Sequence, residues 1–185
     1  MFTHKVDEDL ALKLVEPQDA PRIFELIEQS REYLRQWLPW LDVTTKVSDT
    51  RVFIKGTRAH YIENKGMTTA ILYKDEIVGI AGFNELDWVN RTALIGYWLG
   101  KPYTGKGIMT KVVKALVNVA VYELKMNRID IRIATNNYKS LSIPKRLGFT
   151  EEGILRQAEW LYDHYVDHIV YSMLADQWES IEKEG

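Results

Sequence analysis

The sequence predicts an α+β protein built in three layers, an α/β arrangement in which helices flank a mixed, mostly antiparallel sheet. Three observations carry this. Met67–Tyr73 and Ile77–Phe83 are apolar runs of strand length around Lys74-Asp75-Glu76, the pattern of an antiparallel hairpin. Leu94–Leu99 is apolar on both alternating faces, as in a strand covered on both sides, and leads through a glycine-rich turn into a long apolar helical pattern. Ile129–Ala134 follows as a further strand, and a strand–helix–strand unit sets its two strands parallel. Phe149–Leu161 and Tyr165–Leu174, joined by Tyr162-Asp163-His164, form a second, longer hairpin.

The remaining elements follow in chain order. Leu10–Val15 alternates as a short strand, and Glu16-Pro17-Gln18-Asp19 is a helix start with proline in the first turn and acid at the positive dipole end. Ile23, Leu26, Ile27 and Leu34 make a helical stripe that Trp37-Leu38-Pro39-Trp40-Leu41 must interrupt, since proline breaks the helix. That aromatic segment either plugs the core or walls a pocket. Ser48 can cap a second helix with Phe53, Thr57 and Tyr61 on one face and Asn64-Lys65-Gly66 as its stop. Leu86–Arg91 leads into Leu94–Leu99, where Gly96 marks a bulge or a close backbone approach. From Gly107 to about Leu124 only Lys111, Lys114 and Asn118 break the apolar surface, so the helix is buried over most of its circumference. Ala175–Lys183 closes the chain as a helix or tail.

At 185 residues the chain reads as a single domain spanning 1–185, large enough to bury about two-thirds of its unfolded surface. A net charge of −2 offers no electrostatic case for nucleic acid or an anionic membrane as partner. The absence of cysteine excludes disulfides, cysteine nucleophiles and thiolate metal sites. Met1–Leu10 is polar and charged, and no apolar run approaches a membrane span, so a cytoplasmic protein is expected.

The chemistry centres on Leu94–Thr110. Lys101-Pro102 ends the strand, then Gly105 and Gly107 open the helix, so free backbone N–H groups and the positive end of a helix dipole converge as an anion site, most naturally for phosphate. Gly100–Gly107 fits a P-loop until its last position, where Gly107 replaces the serine or threonine that holds magnesium. Thr104-Gly105-Lys106-Gly107-Ile108-Met109 instead resembles the pyrophosphate-binding signature of the GCN5-related N-acetyltransferases (GNAT), Gln/Arg-x-x-Gly-x-Gly/Ala, departing from it at Thr104 and Met109. A second block, Asn136 to Phe149, is similar to that family's segment of Asn-x-x-Ser followed by a short helix ending Leu-Gly-Phe. Trp37-Leu38-Pro39-Trp40, the Gly-Lys-Gly-Ile-Met-Thr turn and Gln157-Ala158-Glu159 look most like the RimJ/RimL branch, the ribosomal-protein N-terminal acetyltransferases. The likeness covers nearly the whole chain.

The resemblance implies a splayed central pair of parallel strands and acetyl-CoA as cosubstrate, with no metal. Backbone groups of Tyr97, Trp98 and Leu99 would pair with the pantetheine arm, and amides of Thr104, Gly105, Lys106, Gly107, Ile108, Met109 and Thr110 would hold the pyrophosphate. Asn137 would contact the cofactor arm. Ser140 would face its sulfur as general acid, because the position where many members carry a tyrosine acid is Pro144 here. A serine in a first helical turn is also a common backbone cap. Glu159 is the candidate general base, acting through a water; its alternative is a salt-bridged or solvated carboxylate. Trp37, Pro39 and Trp40 would wall the acceptor pocket. An α-amine titrates near 7.7–8.0 and lysine near 10.4, so deprotonating lysine at neutral pH costs roughly 3.4 kcal/mol more. A water-linked carboxylate therefore suits an N-terminal amine.

The expected activity is acetyl transfer to the N-terminal α-amine of a protein, a ribosomal protein foremost, by direct attack in a ternary complex. Two alternatives share the fold. A polyamine or other small amine would need clustered carboxylates, for which Asp42, Glu85 and Asp87 are candidates. A non-catalytic acyl-CoA-binding module would accord with the missing tyrosine. Asp163-His164 and Asp167-His168 invite a metal reading, but they sit in a hairpin with no further ligand cluster. The apolar helix after Gly107 and the Trp37–Trp40 segment are compatible with a homodimer, and equally with one buried core.

Overall fold

The computed structural model describes residues 2–185; Met1, part of the expected domain and of the polar N-terminal stretch, lies outside them. Eight strands form one sheet: β1 (Thr3–Lys5), β2 (Leu10–Leu14), β3 (Met67–Tyr73), β4 (Glu76–Asp87), β5 (Thr92–Leu99), β6 (Arg128–Ala134), β7 (Thr150–Leu161) and β8 (His164–Leu174). Their spatial order is β1-β2-β3-β4-β5-β6-β8-β7, antiparallel throughout except for β5 and β6. The expected α+β class is therefore what the chain adopts. The β3–β4 hairpin turns on Lys74 and Asp75, both at positive φ (50° and 67°), as a two-residue turn between right-twisted strands requires.

Six helices cover the sheet: α1 (Ala20–Gln29), α2 (Arg31–Arg35), α3 (Val47–Ile62), α4 (Ile108–Asn118), α5 (Tyr138–Arg146) and α6 (Ala175–Glu184). One apolar cluster joins α1 and α3 to Ile77 and Ile80 of the sheet, and a larger one joins α4 and α6 to the central strands. Val112, Val113, Leu116 and Val117 of α4 are wholly buried, so the chain's own core consumes the apolar circumference of that helix. Its last turn, Val119–Glu123, widens to a π turn before the chain enters β6.

Several local expectations are corrected. The helical stripe breaks at Ser30 because the Ser30 hydroxyl turns inward to accept the Lys101 N–H (2.9 Å), fastening the α1–α2 joint to the end of β5. Ser48 does not cap α3. Asp49 does so, accepting the N–H groups of Thr45 (3.0 Å) and Lys46 (3.1 Å), since the helix begins one residue before Ser48. The face of α3 that enters the core carries Thr50 and Ile54, leaving Phe53 partly exposed above the sheet.

The feature that makes a site is the divergence of β5 and β6. They pair only from Thr92↔Arg128 to Ile95↔Ile131. Beyond Ile95, β5 follows β4 to Leu99 while β6 follows β8 to Ala134. The backbone of residues 96–99 consequently turns an unpaired edge into a wedge-shaped opening, at the carboxyl ends of a parallel pair where ligands of mixed sheets characteristically bind.

Candidate active site

A cleft of about 350 Å³ occupies one mouth of the wedge, between the end of β5, the turn before α4 and the start of α5. Of the residues expected from sequence to bind the cofactor, it brings together Tyr97, Trp98, Leu99, Thr104, Gly105, Gly107, Ile108, Met109, Thr110, Asn137 and Ser140. Lys106 does not line it: that side chain is exposed, with its ammonium 5.9 Å from the centre of the Tyr73 ring. Gly105 and Gly107 adopt positive φ (77° and 76°), and a Cβ at either position would meet no atom within 4 Å. Conformation, not crowding, therefore selects glycine here. The turn delivers the unpartnered first-turn N–H groups of α4 to the cleft floor, a fit for phosphate oxygens. Lys139 and Arg146 also line the cleft, and their spacing of seven along α5 is the sequence signal that would have placed both on one face.

A second cavity, about 560 Å³, fills the other side of the wedge. It is bounded by Gly96 and Tyr97 of β5, the end of β6, Ser140, and Leu155, Ala158 and Glu159 of β7. The two cavities share Trp37, Tyr97, Asn137 and Ser140 and so adjoin at those residues. A third groove, about 520 Å³, runs over β3–β5 beneath α3 and shares Leu38, Asn84, Gly96 and Tyr97 with the second.

The bulge or close backbone approach expected at Gly96 is neither: Gly96 pairs regularly with Gly82, the bulge lies on the neighbouring strand, and a side chain makes the approach. β4 bulges between Phe83 and Glu85, lifting Asn84 across its neighbour, and a Cβ on Gly96 would lie 2.2 Å from Asn84 Nδ2. Any larger residue at 96 would evict Asn84 from the junction of the second cavity and the groove.

Glu159 is presented by a wider irregularity. The β7–β8 register shifts between Leu155 and Glu159, Gln157 adopts φ 49°, and its N–H donates to Asp167 Oδ1 (2.7 Å). Pinning Gln157 in this way turns the Glu159 carboxylate toward Ser140's cavity, where His168 Nε2 lies 3.6 Å from Glu159 Oε1. Sequence reasoning set His168 aside; its register opposite Ala134, at the tip of β6, is what brings it here.

Ser140 sits in the first turn of α5, at the seam of the two cavities. Pro144, buried four residues later, has no N–H to offer the Ser140 carbonyl. The Tyr97 hydroxyl donates to that carbonyl instead (3.4 Å), and burial pushes the Tyr97 phenol well above its ordinary pKa. Tyr97 faces all three cavities.

The aromatic segment divides between core and cavity walls. Leu41 is buried in the core, while Trp37 and Trp40 wall cavities, with Trp40 6.2 Å from Trp98. Leu38, not singled out from sequence, lines both the second cavity and the groove, whereas Pro39 is exposed and lines none of these three. The Tyr162 hydroxyl tethers the segment by donating to the Leu38 carbonyl and accepting the Leu41 N–H (3.0 Å).

The carboxylates considered for a polyamine do not converge. Asp42 is paired with Arg35 (2.8 Å), and Glu85 and Asp87 line a separate hollow with Arg128 and Arg132. Asp163 contacts His164 (2.6 Å), Asp167 is engaged by Gln157 and His168 faces Glu159, so the two Asp-His pairs serve different surroundings. Among the described residues no group of three or more histidine or carboxylate side chains is arranged to hold a metal, and no helix is long and apolar enough to cross a membrane.

Residues 9–150 match the acetyltransferase (GNAT) domain family. The chain is 32% identical over 174 residues to the ribosomal-protein-serine acetyltransferase of Escherichia coli (strain K12), covering 94% of this chain and 97% of that one. It is similar to the solved structure of RimL, a ribosomal L7/L12 α-N-protein acetyltransferase in complex with coenzyme A, with TM-score 0.91 and 27% identity over 95% of this chain and 99% of the other. It is also similar to the microcin C7 self-immunity acetyltransferase MccE in complex with acetyl-CoA and AMP, with TM-score 0.87 and 31% identity over 92% of this chain and 94% of that one.

Proposed function

The chain belongs to the GNAT acetyltransferase family and is an N-acetyltransferase that uses acetyl-CoA, and from that premise we propose that its acceptor is the N-terminal α-amine of a protein, a ribosomal protein foremost. The observation that carries the mechanism is the meeting of two cavities at Tyr97, Asn137 and Ser140. A thioester held in one and an amine held in the other meet at these shared residues, which favours direct attack in a ternary complex. A chain without cysteine has no thiol to carry the acetyl group in between.

The cosubstrate supplies the activated acetyl group; the residues supply position and protons. Amides from Thr104 to Thr110, with Lys139 and Arg146 nearby, hold its phosphates, and the unpaired edge at Tyr97, Trp98 and Leu99 holds the arm. The amine must lose a proton and the departing sulfur must gain one. Glu159, through a water, accepts the first; the Ser140 hydroxyl donates to the second. A backbone N–H near Tyr97 or Trp98 polarises the carbonyl under attack.

The identity of the acceptor is supported by the names of the similar proteins and by the placement of the carboxylates: Asp42 is paired with Arg35, and the hollow of Glu85 and Asp87 is shared with Arg128 and Arg132 and lies apart from Glu159. Residues 1–185 act in this proposal as one catalytic domain, and a target of this class places the reaction in the cytoplasm. Replacing Glu159 with Gln tests the base directly: turnover falls on the order of 10²–10⁴-fold while calorimetric affinity for acetyl-CoA stays at its original value. An unchanged rate removes Glu159 from the mechanism.

A further inference from the structure

We infer that an apolar chamber beside the groove over β3–β5 is a specificity pocket for a bulky apolar side chain of the acceptor polypeptide, carried by one of the first residues after the acetylated one. This rests on the N-terminal-amine reading above. The chamber holds about 250 Å³ between α1, α3 and the end of β5, walled by Ile23, Ile27, Trp40, Thr50, Phe53 and Trp98.

Two observations make it a site rather than a flaw in packing. Protein interiors keep few voids larger than a water, and this one has room for a leucine, methionine or phenylalanine side chain. It adjoins the groove over β3–β5: Trp40, Phe53 and Trp98 wall both, and that groove adjoins the Glu159 cavity at Gly96 and Tyr97. A polypeptide whose amine lies near Glu159 and whose chain follows the groove passes the chamber mouth.

The wall chemistry defines the occupant. None of the lining side chains is titratable, so a charged side chain would enter without a counter-charge and be excluded by desolvation.

Thiol-release kinetics with serine-initiated peptides carrying leucine, alanine or aspartate at positions two, three and four would locate the contact. At one position kcat/KM is expected to fall about tenfold or more from leucine to alanine and further to aspartate, the range a few buried methylenes provide. Thr44→Phe, which adds bulk from the chamber rim, should drive the leucine-to-alanine ratio toward one. Equal kcat/KM for all three residues at every position overturns the proposal, with or without a folded variant. Tryptophan fluorescence titration with N-acetylated product peptides separates this failure from that of the acceptor reading. Tighter binding of the leucine peptide supports the chamber even if no peptide is turned over, and binding indifferent to the residue overturns it.

Discussion

At the scale of single residues, the substitution of proline for the family's tyrosine at position 144 reorganises the hydrogen bonding around the proposed acid. Pro144 leaves the Ser140 carbonyl without its helical donor, and Tyr97, arriving from β5, takes that role. The link ties the unpaired edge of the wedge to the helix that carries Ser140. Tyr97→Phe is expected to lower stability by about 0.5–1.5 kcal/mol, the net worth of one such bond, measurable by urea unfolding. The pH dependence has a definite sign. A phenol whose folded pKa is raised contributes stability that is fully present below its unfolded value near 10 and is lost as pH climbs toward the folded value. Wild-type unfolding free energy should therefore drop above about pH 10 more steeply than that of Tyr97→Phe, and parallel curves would refute the buried phenol. None of this was legible from sequence beyond the missing tyrosine, because the donor that replaces the lost N–H lies 43 residues away.

At the scale of elements, the glycine turn and α4 were the most legible parts of the chain. Local conformation dictates them: an αL residue at the helix N-terminus and an apolar pattern that only burial explains. Gly107→Ala adds no clash, since nothing lies within 4 Å of the new Cβ, but it forces alanine to φ 76°. The expected cost is about 1 kcal/mol of stability, together with weaker acetyl-CoA binding in calorimetry as the amides rotate away. A variant that binds acetyl-CoA as tightly as the original chain would detach the turn from phosphate recognition. Elements defined by distant partners were less legible. Ser30 breaks a helical stripe to meet an amide 71 residues later, and the β7 irregularity that aims Glu159 depends on Asp167 of the opposing strand. Alternation along β7 announces a strand but carries no sign of where its register slips.

At the scale of the whole molecule, one topological fact generates the site: two parallel strands part after four paired positions, and the gap is completed by α5 on one side and the β7–β8 hairpin on the other. The class of sheet followed from periodicity and connection lengths, and the cofactor half of the gap from the residues at its turn. The acceptor half was legible only as a list of aromatics, because its floor is made where β4 bulges and its wall where α3 turns Phe53 outward. The apolar surface of α4, considered from sequence for a homodimer, is spent in the chain's own core instead.

The central claim is that the joined cavities present an N-terminal amine to acetyl-CoA. It is tested most directly by thiol release with a matched acceptor panel: peptides beginning with serine or alanine, the same peptides N-blocked but containing lysine, and spermidine. Turnover confined to the free N-termini is the predicted result. Turnover only with spermidine would contradict the acceptor while leaving fold and cosubstrate in place, and silence across the whole panel would contradict catalysis by these residues and point to a module that binds acyl-CoA without transferring it.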